Sequence, residues 1–374
     1  MGGRGTTLGS ARVAHYDPTM HGTGEPLGRF TTDLPDGTRD QAAAVADALQ
    51  GARRILVCGN TGADGDVAGS TLALARALGK LGREVVVYND EAYPAAFAWL
   101  PGGAGVVTSV DADDRFDATV VVDAARVDRL GKSFPDRERL GVFCWVDHHA
   151  IDVAPGDVNF IDLTAAAVGE QVALILDALA ERVGQDLIDA DVARCLYASV
   201  VADTGGFRYG NTSARALRLA ARLVEAGVDP WEMTERIYES QDEARVRLLG
   251  RALDGLWRSP CGRLGVVEVR AKDLIELGAI EEHVQGLVNS VRGIKGVELA
   301  VLIRELDAGT TRVVIRSRGN IAVTPIATAL GGKGSRNAGS VVVDADVEAA
   351  RAVVVQAALA HLRVQETMLG GNAE

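Results

Sequence analysis

A two-domain α/β fold with a parallel sheet in its N-terminal half is what this sequence predicts, on three observations. Short Val-rich apolar runs, RRILVCG, EVVVYN, ATVVVDAA and GVFCWVDHH, alternate with helical stretches, as a parallel sheet buried on both faces requires. The order of strands and helices restarts after about residue 255. At 374 residues and 47% hydrophobic content, the chain is long enough to bury two cores.

Taken in order, residues 1–38 are rich in Gly, Thr, Asp and Pro without periodicity and predict a flexible lead-in. QAAAVADALQ reads as a helix, RRILVCG as a strand, VAGSTLALARALGKLG as a helix, and the remaining three apolar runs as strands. A helical block follows, through VGEQVALILDALAERVG, ADVARCLYASVVAD, SARALRLAARLVEAG and DPWEMTERIYES, closing a domain over residues 39–239. EARVRLLGRALDGLW supplies a linker helix over 240–255. Over 256–367, LGVVEVR, VELAVLIREL, TRVVIRSRG and SVVVD alternate as strands, IAVTPIATALGG is a short helix, and Asp346 caps a closing helix. A cleft between the two domains is expected.

A formal charge of −12 and a pI near 5.1 exclude a broadly basic grip on long duplex nucleic acid. Four scattered cysteines without a CxxC pair fit a reducing cytoplasm. Neither a leader-like apolar segment nor an uncharged run of membrane length occurs, so no export and no membrane partner is expected.

The acidic residues carry the functional signal. Asp64 and Asp66 follow the first strand, Asp123 ends ATVVVD, Asp147, His148 and His149 end GVFCWV, and Asp203 ends an apolar helix. Carboxyl ends of parallel strands line one sheet edge, where ligands bind. Carboxylates gathered there repel one another unless a cation compensates, and oxygen ligands with one imidazole suit Mn²⁺ or Mg²⁺. Each Asp alone reads more readily as a helix cap or an Asx turn than as a ligand, and it is their coincidence at strand and helix ends of one domain that points to a metal.

ADGD, VDHH and DTGGFRYGNTS in this order, with the glycine cluster GGKGSRNAG, resemble the DHH superfamily of phosphoesterases that carry a DHH-associated C-terminal domain, and within it the oligoribonuclease (nanoRNase)/pAp phosphatase group. That resemblance spans about residues 40 to 365 and implies a DHH domain, a smaller substrate-binding domain and two Mn²⁺ or Mg²⁺ ions. It implies that Asp64 and Asp66 bind separate ions, Asp123 bridges them, His148 and Asp203 complete the second site, and Asp147 and His149 support the motif and meet the substrate phosphate. Implied substrates are short oligoribonucleotides (nanoRNA), linear dinucleotides or 3′-phosphoadenosine 5′-phosphate, and a homodimer is the implied assembly.

Two departures accompany the match. Asn60 stands where the family's first motif has a histidine, which weakens the first ion's ligand set, and Ser335 stands where its C-terminal glycine run ends in one. Lys333 and Arg336 bring positive charge to that loop beside Gly332 and Gly334. A turn needing positive φ at Gly331, Gly332 and Gly334 is the other reading of the loop. Arg316 is implied as a substrate contact, and Arg208 and Asn211 follow Asp203 closely enough to bind phosphate or sugar, with Phe207 or Tyr209 stacking on a base or Phe207 anchoring the core. Two alternatives accompany the hydrolase: a relative that binds nucleotide or phosphate with little or no turnover, and a dinucleotide-binding enzyme, which the absence of GxGxxG spacing disfavours.

Overall fold

The computed structural model describes residues 34–151, 153–319, 321–334 and 336–370. Most of the N-terminal lead-in and Ser335 lie outside them. One compact unit ends at Ser240 and a second begins at Gln241.

The first unit contains strands β1 (Arg54–Gly59), β2 (Glu84–Tyr88), β3 (Ala118–Val122), β4 (Val142–Asp147) and β5 (Val158–Ile161). Its helices are α1 (Thr38–Gln50), α2 (Gly65–Lys80), α3 (Ala95–Ala98), α4 (Val168–Val183), α5 (Ala190–Asp203), α6 (Ala214–Glu225) and α7 (Pro230–Thr234). All strand pairs are parallel, in the order β2-β1-β3-β4-β5. Alternate residues of β1 enter opposite cores: Ile55 and Val57 pack with the helices, while Leu56 and Cys58 join Tyr88, Val121, Leu140 and Trp145 on the other face. No α-helix connects β3 to β4; the crossover consists of 3₁₀ turns at Val127–Arg129 and Arg137–Arg139, whose flanking Leu130 and Leu140 are buried against the sheet. Strand order reverses between β1 and β3, the crevice where such sheets take ligands.

Helix α2 is buried around most of its circumference because α4 and α5 close over it. Glycine permits the approach. A Cβ on Gly69 would collide with the Cys195 carbonyl oxygen and lie 2.7 Å from Ser199 N, and one on Gly169 would collide with Ser199 Oγ. Gly69→Ala is therefore expected to cost about 1–3 kcal/mol, since a backbone carbonyl cannot rotate away, and urea unfolding reads the loss.

In the second unit the sheet order is β10-β11-β9-β8-β7-β6, with strands β6 (Trp257–Arg258), β7 (Leu264–Val269), β8 (Leu299–Asp307), β9 (Thr310–Ser317), β10 (Lys333–Gly334) and β11 (Ala338–Val343). Only β7 and β8 pair in parallel. Helices α11 (Thr324–Ala329) and α12 (Val347–Gly370) cover one face. The other face carries α8 (Glu243–Asp254), α9 (Ala271–Leu277) and α10 (Leu287–Arg292). Asp346 Oδ1 accepts from Ala349 N at 2.8 Å, the expected cap of α12. The helix read as a linker, α8, buries Leu248 and Ala252 in the core under this sheet. Among the described residues no helix is long and apolar enough to cross a membrane.

Candidate metal centre

Each acidic residue is held by its own element at the carboxyl edge of the first sheet. Asp66, in the first turn of α2, is fully buried and anchored on every side. Its Oδ2 accepts from Val168 N at 2.7 Å and its Oδ1 from Gly169 N at 3.3 Å, Ser70 Oγ at 3.0 Å and Ser199 Oγ at 2.6 Å. The first two donors are the N-terminus of α4, where a carboxylate is favoured. Asp123, one residue beyond β3, has φ +49°, in the left-handed region that asparagine and aspartate tolerate better than most residues. Its amide donates to Val146 O at 3.0 Å, extending the ladder to β4.

His148 is the hub. Its Nδ1 lies 3.1 Å from Ala165 O, a group that only accepts, so Nδ1 donates and in the neutral ring Nε2 presents a lone pair. Around that Nε2 stand Asp123 Oδ1 at 3.6 Å, Asp203 Oδ2 at 3.7 Å and Asp66 Oδ2 at 3.9 Å. Asp123 Oδ1 is buried and has no hydrogen-bond partner. His149 Nδ1 is 3.3 Å away from it but makes its hydrogen bond to Asp147 Oδ1, at 2.9 Å. Asp147, expected beside the phosphate, is fully buried and holds His149 through both the ring and the backbone N–H. Its Oδ2 is also without a partner.

Burial first, then the charges of neighbours including Asp66 and Asp64, pushes Asp123 up to about 8; burial followed by the same two charges does likewise for Asp203. His149 is pushed up to about 11 by its contacts with Asp123 and Asp147. Asp66 and Asp203 form one group of cation-binding spacing with His148, and Asp123, with its orphaned buried oxygen, and His149 form another with the same His148. Oxygen donors around an imidazole lone pair suit a hard divalent cation.

The remaining predicted residues fall elsewhere. Asp64 caps α2: its Oδ1 accepts from Asp66 N at 3.0 Å and Val67 N at 3.2 Å. Although its side chain faces solvent, the protein packed around it and the charge of Asp66 push its carboxyl up. Asn60 Oδ1 accepts from Arg129 Nε at 3.1 Å. The Asn211 amide donates to Ala166 O at 3.0 Å and Asp203 O at 3.1 Å, so it ties the end of α5 in place. Arg208 lies over the Tyr238 ring, and Phe207 packs edge-on against Tyr197 in the core.

Arg316, Gly332, Lys333, Gly334 and Arg336 belong to the second unit. Arg316 lies opposite Ala338 of β11 and Ala300 of β8, on an interior strand of the sheet. Of the three glycines read as left-handed, only Gly331 is so, at φ +78°. At Gly332 the constraint is space: a Cβ would lie 2.9 Å from Ser340 O.

Sequence reasoning missed Ser70, Ser199, Val168, Gly169 and Ala165, which fix Asp66 and His148. The small residues facing one another along α2, α4 and α5 were the available signal.

A model of the DHH family N-terminal domain matches residues 54–200. The chain is 30% identical over 292 residues to the bifunctional oligoribonuclease and PAP phosphatase NrnA of Thermus thermophilus, covering 78% of this chain and 84% of that protein. It is 27% identical over 204 residues to the Bacillus subtilis protein of the same name, covering 54% and 62%. Among solved structures, an exopolyphosphatase-related protein from Bacteroides fragilis superposes with a TM-score of 0.77 at 22% identity, covering 85% of this chain and 95% of that one. RecJ from Thermus thermophilus, solved in complex with Mn²⁺, gives 0.51 at 16% identity over 87% of this chain and 55% of that one. At those identities the two structures show a shared fold.

Proposed function

We propose that this chain, which belongs to the DHH family of metal-dependent phosphoesterases, hydrolyses short oligoribonucleotides, linear dinucleotides or 3′-phosphoadenosine 5′-phosphate. One observation carries the reading: Asp66, Asp123 and Asp203, from three separate elements, converge within 3.9 Å of His148 Nε2. The alignment with the Thermus thermophilus NrnA supports the substrate class.

Asp66, Asp123, His148 and Asp203 would hold the cation, with Mn²⁺ or Mg²⁺ the ions their oxygen-rich set suits. A divalent cation supplies Lewis acidity toward the phosphoryl oxygens and lowers the pKa of water. The chain's own groups do the rest. Val168, Gly169, Ser70 and Ser199 fix Asp66 so that it needs no reorganisation when charge develops. Ala165 sets the His148 tautomer, and Asn211 holds the backbone that carries Asp203. His149, half exposed and kept protonated by Asp123 and Asp147, offers a cationic donor toward solvent at the same edge, placed to meet a phosphate oxygen or to return a proton to the leaving group.

Incubation of the purified protein with a ribodinucleotide and Mn²⁺ is expected to release mononucleotides, and Asp123→Ala to abolish the release. No turnover by the wild-type protein, together with tight nucleotide binding, would leave the binding-only alternative standing.

A further inference from the structure

Two ions are the expectation that accompanies this family resemblance, and the side chains with cation-binding spacing gather around one residue, His148. Asp66 Oδ2, Asp123 Oδ1 and Asp203 Oδ2 each lie within 3.9 Å of His148 Nε2, and His148 belongs to both groups of side chains with cation-binding spacing. Where the other ion would sit, Asn60 and Asp64 each have their Oδ1 already engaged. The Asn60 Oδ1 accepts from Arg129 Nε at 3.1 Å, and Asp64 Oδ1 accepts from two backbone amides. Asp64 belongs to neither of the carboxylate and imidazole groups with cation-binding spacing.

Arg129 is also built into this position by its backbone. Its carbonyl accepts from Thr61 N at 2.6 Å, which docks the 3₁₀ turn Val127–Arg129 onto the loop between β1 and α2. Among the described residues its Nη groups have no hydrogen-bond or ion-pair partner, and the side chain is exposed. A guanidinium with one nitrogen tethered and its terminal donors open is the geometry that takes phosphate oxygens.

We propose that this protein binds a single divalent cation, through Asp66, Asp123, His148 and Asp203, and that Arg129, tethered by Asn60, supplies in place of a second ion the positive charge that meets the substrate's phosphate. This rests on the hydrolase reading above.

Titration calorimetry and elemental analysis with Mn²⁺ on the full chain test it. The expected stoichiometry is one ion per chain, with an uncoupled Mn²⁺ EPR spectrum at saturation. Arg129→Ala is expected to lower kcat/KM for a dinucleotide about 10–100-fold, the loss of a charged hydrogen-bond pair. Its Mn²⁺ stoichiometry stays at one, and Arg129→Lys recovers part of the rate. Asn60→His combined with Arg129→Ala is expected to raise the stoichiometry toward two. Two spin-coupled ions in the wild-type chain, or an Arg129→Ala protein with unchanged kcat/KM, would overturn the proposal. Failure of the hydrolase reading looks different: the wild-type chain would bind its ion and turn over no phosphoester.

Discussion

Replacing Asp123 by asparagine is expected to lower kcat by about 10³-fold while leaving the fold intact. The substitution is chosen for the backbone: at φ +49° most side chains are strained, and asparagine is one of the few that is not. It is close to isosteric with aspartate, so packing beside Val146 and His148 survives. What it removes is the charge that faces His148 Nε2 at 3.6 Å and His149 Nδ1 at 3.3 Å. Metal affinity is expected to drop at least 10–100-fold, the range seen when a supporting group of a metal site is lost.

The same variant reports on cost. In the metal-free protein, burial and the nearby carboxylates push Asp123 up to about 8, so the folded state holds a proton that the unfolded chain has released. Stability attached to that group is present in full below its unfolded pKa, near 4, and is lost as pH rises through about 8. In EDTA, the melting temperature of Asp123→Asn is therefore expected to match the wild type at acidic pH and to exceed it near pH 9. A variant less stable than the metal-free wild type at both ends would show that the carboxylate serves structure and not a cation.

Much of this site was legible in the sequence, and the part that was not is the part made by tertiary contact. Asp64, Asp66, Asp123, Asp147 and Asp203 stand next to strong strand or helix patterns, so a parallel sheet alone brings them toward one edge. Strand β5 escaped notice because VNFI is four residues long and its Asn159 side chain bonds locally to Gly156. The short helices α9 and α10, at seven and six residues, are shorter than a periodic pattern needs to declare itself.

Partners of Asp66 lie 102 and 133 residues away in the chain, and no local pattern marks a serine or a backbone amide as the anchor of a distant carboxylate. Arg129 is hidden for the same reason. On sequence it is one more exposed arginine in a loop; only the docking of its turn onto Thr61 puts its guanidinium on Asn60. Asn60 therefore reads as a loss in one dimension and as a tether in three.

Saturating Mn²⁺ is expected to raise the melting temperature by several degrees at about pH 8 and by much less at about pH 5.5. Asp123 and Asp203 are both pushed up to about 8, chiefly by burial, so below that pH a cation must displace protons to bind. If both carboxyls release a proton, affinity climbs by up to about 100-fold per pH unit through the acidic range and levels off above 8. Binding to the native state alone stabilises by about 4 kcal/mol when free ion exceeds Kd about 1,000-fold, and the gain shrinks as acid raises Kd. The two effects of pH on the protein therefore oppose each other. Without metal, stability declines between about pH 4 and 8 because the unfolded chain releases protons that the folded state still holds on these carboxyls. With metal, loss of the folded-state protons from these carboxyls creates the site, and the decline reverses. Scanning calorimetry with EDTA and with Mn²⁺ across that range should give curves that diverge as pH rises, and titration in buffers of different ionisation enthalpy should detect proton release near pH 7. Parallel curves, or uptake of the ion without proton release, would mean that these two carboxylates are not what the cation binds.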